Sequence, residues 1–219
     1  MSGSSFRSLD SEALRPQLRG LRIVEEPSRW TALGFTVADG SVQLGGVRIL
    51  LESPDRRGGE RGGIRGWSLS GMPVAEEIDG LLTEVVTEPG DPAQTARHAN
   101  GALGIDHVVV ITPDFDRTAA RLAQAGLELR RIREAPAGAR QGFRRLGPTI
   151  LELVEAPDTG DGPAYFWGLV VIVRDLQELA RALGDRLSPV KPAVQPGRLI
   201  ATLCQAGGMS FAMAFMSPE

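Results

Sequence analysis

The sequence predicts an α+β protein assembled from βαβββ units, and three observations carry that prediction. Two segments, "HVVVITPDFD" and "FWGLVVIVRD", each run a branched apolar stretch into an aspartate able to cap a following helix. Landmarks in the two segments keep one offset: Asp114 and Asp175, Gly147 and Gly208, and Pro157 and Pro218 are each 61 residues apart. After the first helix, breaks at "APAGA" and Gly147-Pro148 leave three strand-length pieces.

In chain order, residues 1–18 form a polar leader without an apolar secretory core, expected to be flexible. Residues 19–87 read as a shortened, degenerate copy. "LRIVEEPSRWTALGFTVADGSVQLGGVRILLESP" compresses the unit around a short helix near Trp30, and its closing "ILLESP" parallels "ELVEAP". "GIRGWSLSGM" then opens a second copy and leads into "VAEEIDGLLTEV", whose apolar spacing reads as a short helix with no strands recognisable after it. Between the copies, "SPDRRGGERGG" carries three arginines and one glutamate; a mobile surface loop is favoured over a phosphate or RNA grip.

Residues 88–103, within "EPGDPAQTARHANGALG", have the composition of a linker. The unit from 104 to 157 has the strand "HVVVIT", Asp114 as cap, and Phe115, Ala119 and Leu122 at helical spacing up to Gly126. The strands "LELRRIRE", "RQGFRRLG" and "TILELVE" follow. The unit from 164 to 218 repeats this with "FWGLVVIV", Asp175, the helix positions Leu176, Leu179, Ala180 and Leu183, then "GRLIATLCQ" and "MSFAMAFM". A duplicated unit accounts for helix, turn and exit together.

Composition bounds the partners. Of 219 residues, 42% are hydrophobic and 23% charged, which suits a globular chain, and the net charge of -3 is not gathered into blocks. That argues against a nucleic-acid partner. With no apolar run near the roughly 18 residues of a membrane span, a soluble, cytoplasmic monomer or homodimer is expected. The lone Cys204 rules out an intrachain disulfide.

The paired units, opening on "GIDHVVVITPDFDRT" and closing on "LGPTILELVEAP", resemble the glyoxalase, bleomycin-resistance and extradiol-dioxygenase superfamily, also called vicinal oxygen chelate proteins. The resemblance is clearest over residues 101–219. It implies modules paired into a cupped mixed sheet, with metal ligands on the first and last strands of each module. It places His107 and Glu152 at two such positions, and an imidazole with a carboxylate suits Zn, Fe, Mn or Ni. Strand alternation agrees: His107 shares a face with Ile105, Val109 and Ile111, and Glu152 with Ile150 and Val154.

The expected ligand set is incomplete. The 61-residue offset carries His107 to Gly168 and Glu152 to Met213, and the N-terminal copies offer Gly66 and Ile49. The reading is therefore one divalent metal or none, with extradiol chemistry improbable and metal-dependent isomerisation weakened.

Each candidate has a bland and a sharp reading. His107 is either a strand histidine hydrogen-bonded by a neighbour such as Glu152, or a ligand or acid/base. Glu152, between Leu151 and Leu153, needs a partner if buried, whereas Glu155 on the other face should be solvated. A two-residue turn at Gly147-Pro148 sets Phe143 opposite Glu152 and lines the cup with Gln141, Phe143 and Arg145. Trp167, beside Phe166, reads as core or as an aromatic pocket wall. Cys204 reads as an inert core cysteine rather than a thiolate. "QPGR" could present Arg198 to an anion, but a surface turn is the simpler reading, and His98 reads as an exposed linker residue. "GWSLSG" fails the nucleophile-elbow pattern because Ser70 replaces its second glycine. The expected function is a glyoxalase-like protein that binds a small organic molecule. It acts as a lyase or isomerase through His107 and Glu152, or sequesters a drug or metabolite without catalysis. The N-terminal half could instead serve assembly by closing the open side of the C-terminal half.

Overall fold

Period-two apolar segments build two mixed sheets in the computed structural model, which describes residues 15–54, 62–87, 96–134 and 138–219. Most of the expected leader, the centre of the arginine-glycine segment and the first half of the expected linker lie outside the described residues.

The N-terminal half contributes β1 (Gln17–Val24), α1 (Pro27–Ala32), β2 (Ser41–Leu44), β3 (Val47–Glu52), β4 (Gly63–Ser70), β5 (Glu77–Ile78) and β6 (Leu81–Val85). They form a six-stranded sheet ordered β2-β3-β1-β4-β6-β5. The C-terminal half contributes β7 (Ala102–Thr112), α2 (Phe115–Gln124), β8 (Arg131–Glu134), β9 (Arg140–Leu146) and β10 (Thr149–Glu155). Its second unit is β11 (Tyr165–Val173), α3 (Leu176–Leu183), β12 (Lys191–Pro192), β13 (Leu199–Thr202) and β14 (Ala212–Met216). These strands form an eight-stranded sheet ordered β12-β13-β14-β11-β7-β10-β9-β8.

The two sheets share one pairing plan. In the larger, β7 runs parallel to β10, β11 parallel to β14, and β7 antiparallel to β11. In the smaller, β1 runs parallel to β3, β4 parallel to β6, and β1 antiparallel to β4. Among the described residues the smaller sheet is the same plan without an outer strand on either side. The helix of its second unit is also missing, so the helix expected in "VAEEIDGLLTEV" is corrected: that segment is the β5–β6 hairpin. Asp79 and Gly80 sit at φ 48° and 89°, the two left-handed positions a type I′ turn requires, and Asp-Gly is the pair that supplies them.

Both helices of the C-terminal half start as the sequence implies. The Asp114 carboxylate accepts from the Arg117 N–H at 3.0 Å, and that of Asp175 from the Glu178 N–H at 2.8 Å. Val108, Val110, Leu151 and Leu153 point to the helix side, fully buried with Phe115 and Leu122. The core is continuous across the halves, with Trp67 of β4 packed edge-on against Phe166 of β11 at 5.2 Å. Among the described residues no helix is long and apolar enough to cross a membrane.

Register also corrects the repeat. Gly168 pairs with Ala212, whereas its counterpart His107 pairs with Ile150, so the counterpart of Glu152 is Ala214 and not Met213. Met213 faces the core. The offset slips by one because the long turn between Thr202 and Ala212 replaces the Gly147-Pro148 turn.

Candidate functional site

His107 lies where β7 breaks step with β11. Val170 pairs with His107 and Val171 with Ile105, leaving Asp106 as the extra residue of a bulge. A bulge re-aims neighbouring side chains, and here it gathers charge that alternation would have separated. Asp106 and His107 are only 6% and 4% exposed, with the Asp106 carboxylate 2.5 Å from His107 Nδ1. The other Asp106 oxygen accepts from Arg198 Nη1 at 2.7 Å, while Arg198 Nε donates to the Ser217 carbonyl at 2.9 Å. Burial pushes the Asp106 carboxyl up, but the His107 and Arg198 contacts outweigh it and hold it below its ordinary value.

Arg198 was expected in a surface turn. Gly197 does make a turn, at φ 80°, but the arginine side chain folds inward and is only 6% exposed. Its Nη2 is buried without a hydrogen-bond partner among the described residues. A buried donor left unsatisfied costs about 1–3 kcal/mol, and more when charged.

Glu152 sits two positions along β10 from the residue opposite His107, on the same face. Burial raises its carboxyl above the ordinary value, and nearby His107 and Arg133 draw it only partly back. Phe143 lies opposite Glu152, Gln141 opposite Val154 and Arg145 opposite Ile150, so the structure brings these candidates onto one face. Arg133 ties two of them: its Nε donates to Gln141 Oε1 at 2.8 Å, and its guanidinium lies 5.0 Å from the Phe143 ring centroid. Arg145 remains exposed.

Trp167 and Cys204 fall elsewhere. They line a cavity of about 660 Å³ with Tyr165, Phe166, Phe211 and Ile64, and neither His107 nor Glu152 is part of its wall. Cys204 is exposed, which corrects the expected core cysteine: β13 ends at Thr202, so Cys204 begins a turn and does not continue the strand. Trp167 is 47% exposed because a second bulge, between Phe166 and Gly168, takes it out of the ladder.

Two further expectations are revised. His98 is buried: its Nδ1 accepts from the Thr36 N–H at 3.0 Å and its Nε2 donates to the Gln43 carbonyl at 2.8 Å. Both ring nitrogens are occupied, so it is a structural tie. Glu155 is held by Arg140, 2.8 Å away, and is not free in solvent.

No family model matches the chain, and no curated protein matches it by sequence. Among solved structures, a mutant of 4-hydroxymandelate synthase from Streptomyces coelicolor superposes with a TM-score of 0.63 at 15% identity. The match covers 93% of this chain and 92% of that one. At that identity the likeness is one of fold, and it extends over both halves of the chain. Methylmalonyl-CoA epimerase from Mycobacterium tuberculosis also matches, with 17% identity, 57% of this chain, 94% of that chain and a TM-score of 0.47.

The family resemblance of the sequence implies a divalent metal, and the donors can be tested against it. His107 Nδ1 already faces Asp106, so Nε2 and Glu152 are the donors left. Among the described residues no group of three or more His, Cys, Asp and Glu side chains is placed to hold an ion. Two donors fall short of the about three protein ligands a catalytic metal needs, so these residues do not fit the metal of the superfamily.

Sequence reading missed Asp106 and Arg133, and it weighed Arg198 as an anion contact but preferred a surface turn. Asp106 did leave a signal, since an acid entering an apolar strand needs a cation. Its cation lies 92 residues further on, and nothing local announces the pairing.

Proposed function

We propose that the chain is a glyoxalase-like protein that binds a small organic molecule on the His107 face of the larger sheet. There it catalyses a metal-free proton transfer of the lyase or isomerase type. The observation that carries this is the contact of Asp106 with His107 Nδ1 beside a half-buried Glu152. A carboxylate on Nδ1 orients the ring and stabilises the imidazolium formed when Nε2 takes a proton. With Nδ1 facing Asp106, Nε2 is the ring nitrogen left to take that proton. Burial favours the protonated form of Glu152, so it supplies a proton where His107 removes one.

The test begins with a thermal-shift panel of 2-oxo acids, 2-hydroxy acids and acyl thioesters. Molecules that stabilise the protein are then followed for solvent deuterium uptake at the carbon beside the carbonyl. Uptake should vanish in His107→Gln and Glu152→Gln while the thermal shift persists. Stoichiometric Zn, Fe, Mn or Ni in protein purified without chelator, lost in His107→Ala and Glu152→Ala, would overturn the metal-free reading.

A second reading, sequestration of a drug or metabolite, is favoured by the cavity beside Tyr165 and Trp167, which are 43% and 47% exposed. Its mark is a thermal shift abolished by Trp167→Ala with no deuterium uptake.

A further inference from the structure

The registers collect cations on the face that carries His107. Arg131 and Arg133 pair with Phe143 and Gln141, and Arg145 pairs with Ile150, which pairs with His107. On the far side, Lys191 pairs with Ile200, Ile200 with Met216 and Met216 with Ile172, two positions from the Val170 that opposes His107. Arg198, just before β13, reaches the same face and meets Asp106 on β7 through its guanidinium. Against these stand two carboxylates, Asp106 and Glu152. The chain as a whole is net negative, so a cationic surplus here is local.

Arg198 is distinct among these cations. It is more than nine-tenths buried, anchored by Nε and Nη1, and left with Nη2 unpartnered. On the His107 face, β11 sets out Gly168, Val170 and Ile172, and β14 sets out Ala212, Ala214 and Met216, so the wall beside Arg198 is apolar and its smallest side chains lie towards Gly168. Leu169, Met213 and Phe215, which alternate with them, point into the core. A fixed guanidinium with a spare donor beside an apolar wall is suited to the oxyanion of an organic acid.

We propose that the ligand of this face is a small organic carboxylate and that Arg198 recognises it, a side-chain cation serving where the donor set does not hold a metal. The inference rests on the proton-transfer reading and names its substrate class. A carboxylate is favoured over a phosphate because Asp106 shares the face and repels a dianion more strongly than a monoanion.

The test is fluorine-observed NMR binding of an aryl fragment set made in matched carboxylate, carboxamide and phosphate forms, using the full chain. Carboxylates should bind at least about tenfold tighter than their carboxamides, as loss of one charged contact implies. That preference should collapse in Arg198→Gln. Because Arg198→Gln leaves Asp106 buried without its cation, the double variant Asp106→Asn/Arg198→Gln serves as the second probe, and it too should bind both forms alike. Equal binding of the two forms by the wild-type protein, absence of carboxylate binding, phosphates binding more tightly than carboxylates, or a preference that survives both variants and falls instead in Trp167→Ala would each overturn the proposal. An Arg198-dependent carboxylate preference without deuterium uptake by any bound acid would sink only the proton-transfer reading.

Discussion

At the scale of single residues, two glutamates three positions apart on β10 are set to opposite electrostatic ends. The Glu155 carboxyl is lowered, first by its hydrogen bonds to Arg140. Glu152 is raised, first by burial. A carboxyl raised in the folded state stabilises the native form while protonated. That contribution is complete below the ordinary value of 4.5 and is lost as pH rises through the higher folded value. Glu152→Gln keeps a neutral side chain at every pH. Urea denaturation should therefore find this variant more stable than the parent near about pH 8, with the gap closing towards about pH 4. A gap of the same size at both ends would show that Glu152 is not raised. The same scale explains His98, for which composition gave no guidance: an imidazole in a polar linker becomes a core residue once Thr36 and Gln43 occupy both nitrogens.

At the scale of elements, the helix starts were legible because capping is local. Asp114 and Asp175 each accept the N–H three residues on, as residue type and position dictate. Asp114→Ala and Asp175→Ala should each cost about 0.5–2 kcal/mol in chemical denaturation. If only one does, the two modules are not equivalent at this point. The β5–β6 hairpin was misread because apolar spacing around "IDGLL" suits a short helix, while the Asp-Gly turn signal inside it points to a hairpin. Long-range contacts reinforce the hairpin: Asp79 accepts from Arg117 Nε at 3.0 Å and from the Thr118 hydroxyl, both on α2. An added Cβ at Gly80 would come within 2.5 Å of Pro163, so the turn is pressed against the connection before β11. The bulges at Asp106 and Trp167 had no sequence signal, since an extra residue in a strand shows only against its partner.

At the scale of the molecule, one core joins the halves, so they should unfold together. Trp67, 2% exposed and set against Phe166, spans the junction. Trp67→Ala should lower stability by about 3–5 kcal/mol. Circular dichroism and intrinsic fluorescence should still report a single shared midpoint. Two separated midpoints, one untouched by the substitution, would mean that the halves are independent.

The sequence by itself determined the α+β class, the order of strands and helices in the C-terminal half, both aspartate caps and the shared face of His107 and Glu152. All of these follow from periodicity and local capping, which act over a few residues. Only the tertiary structure decided what His107 touches. A bulge turned Asp106 toward it and Arg198 arrived from 92 residues away, while a lengthened turn moved the sister position from Met213 to Ala214. Register and long-range ion pairing are relations between segments, and they exist only once the sheet has closed.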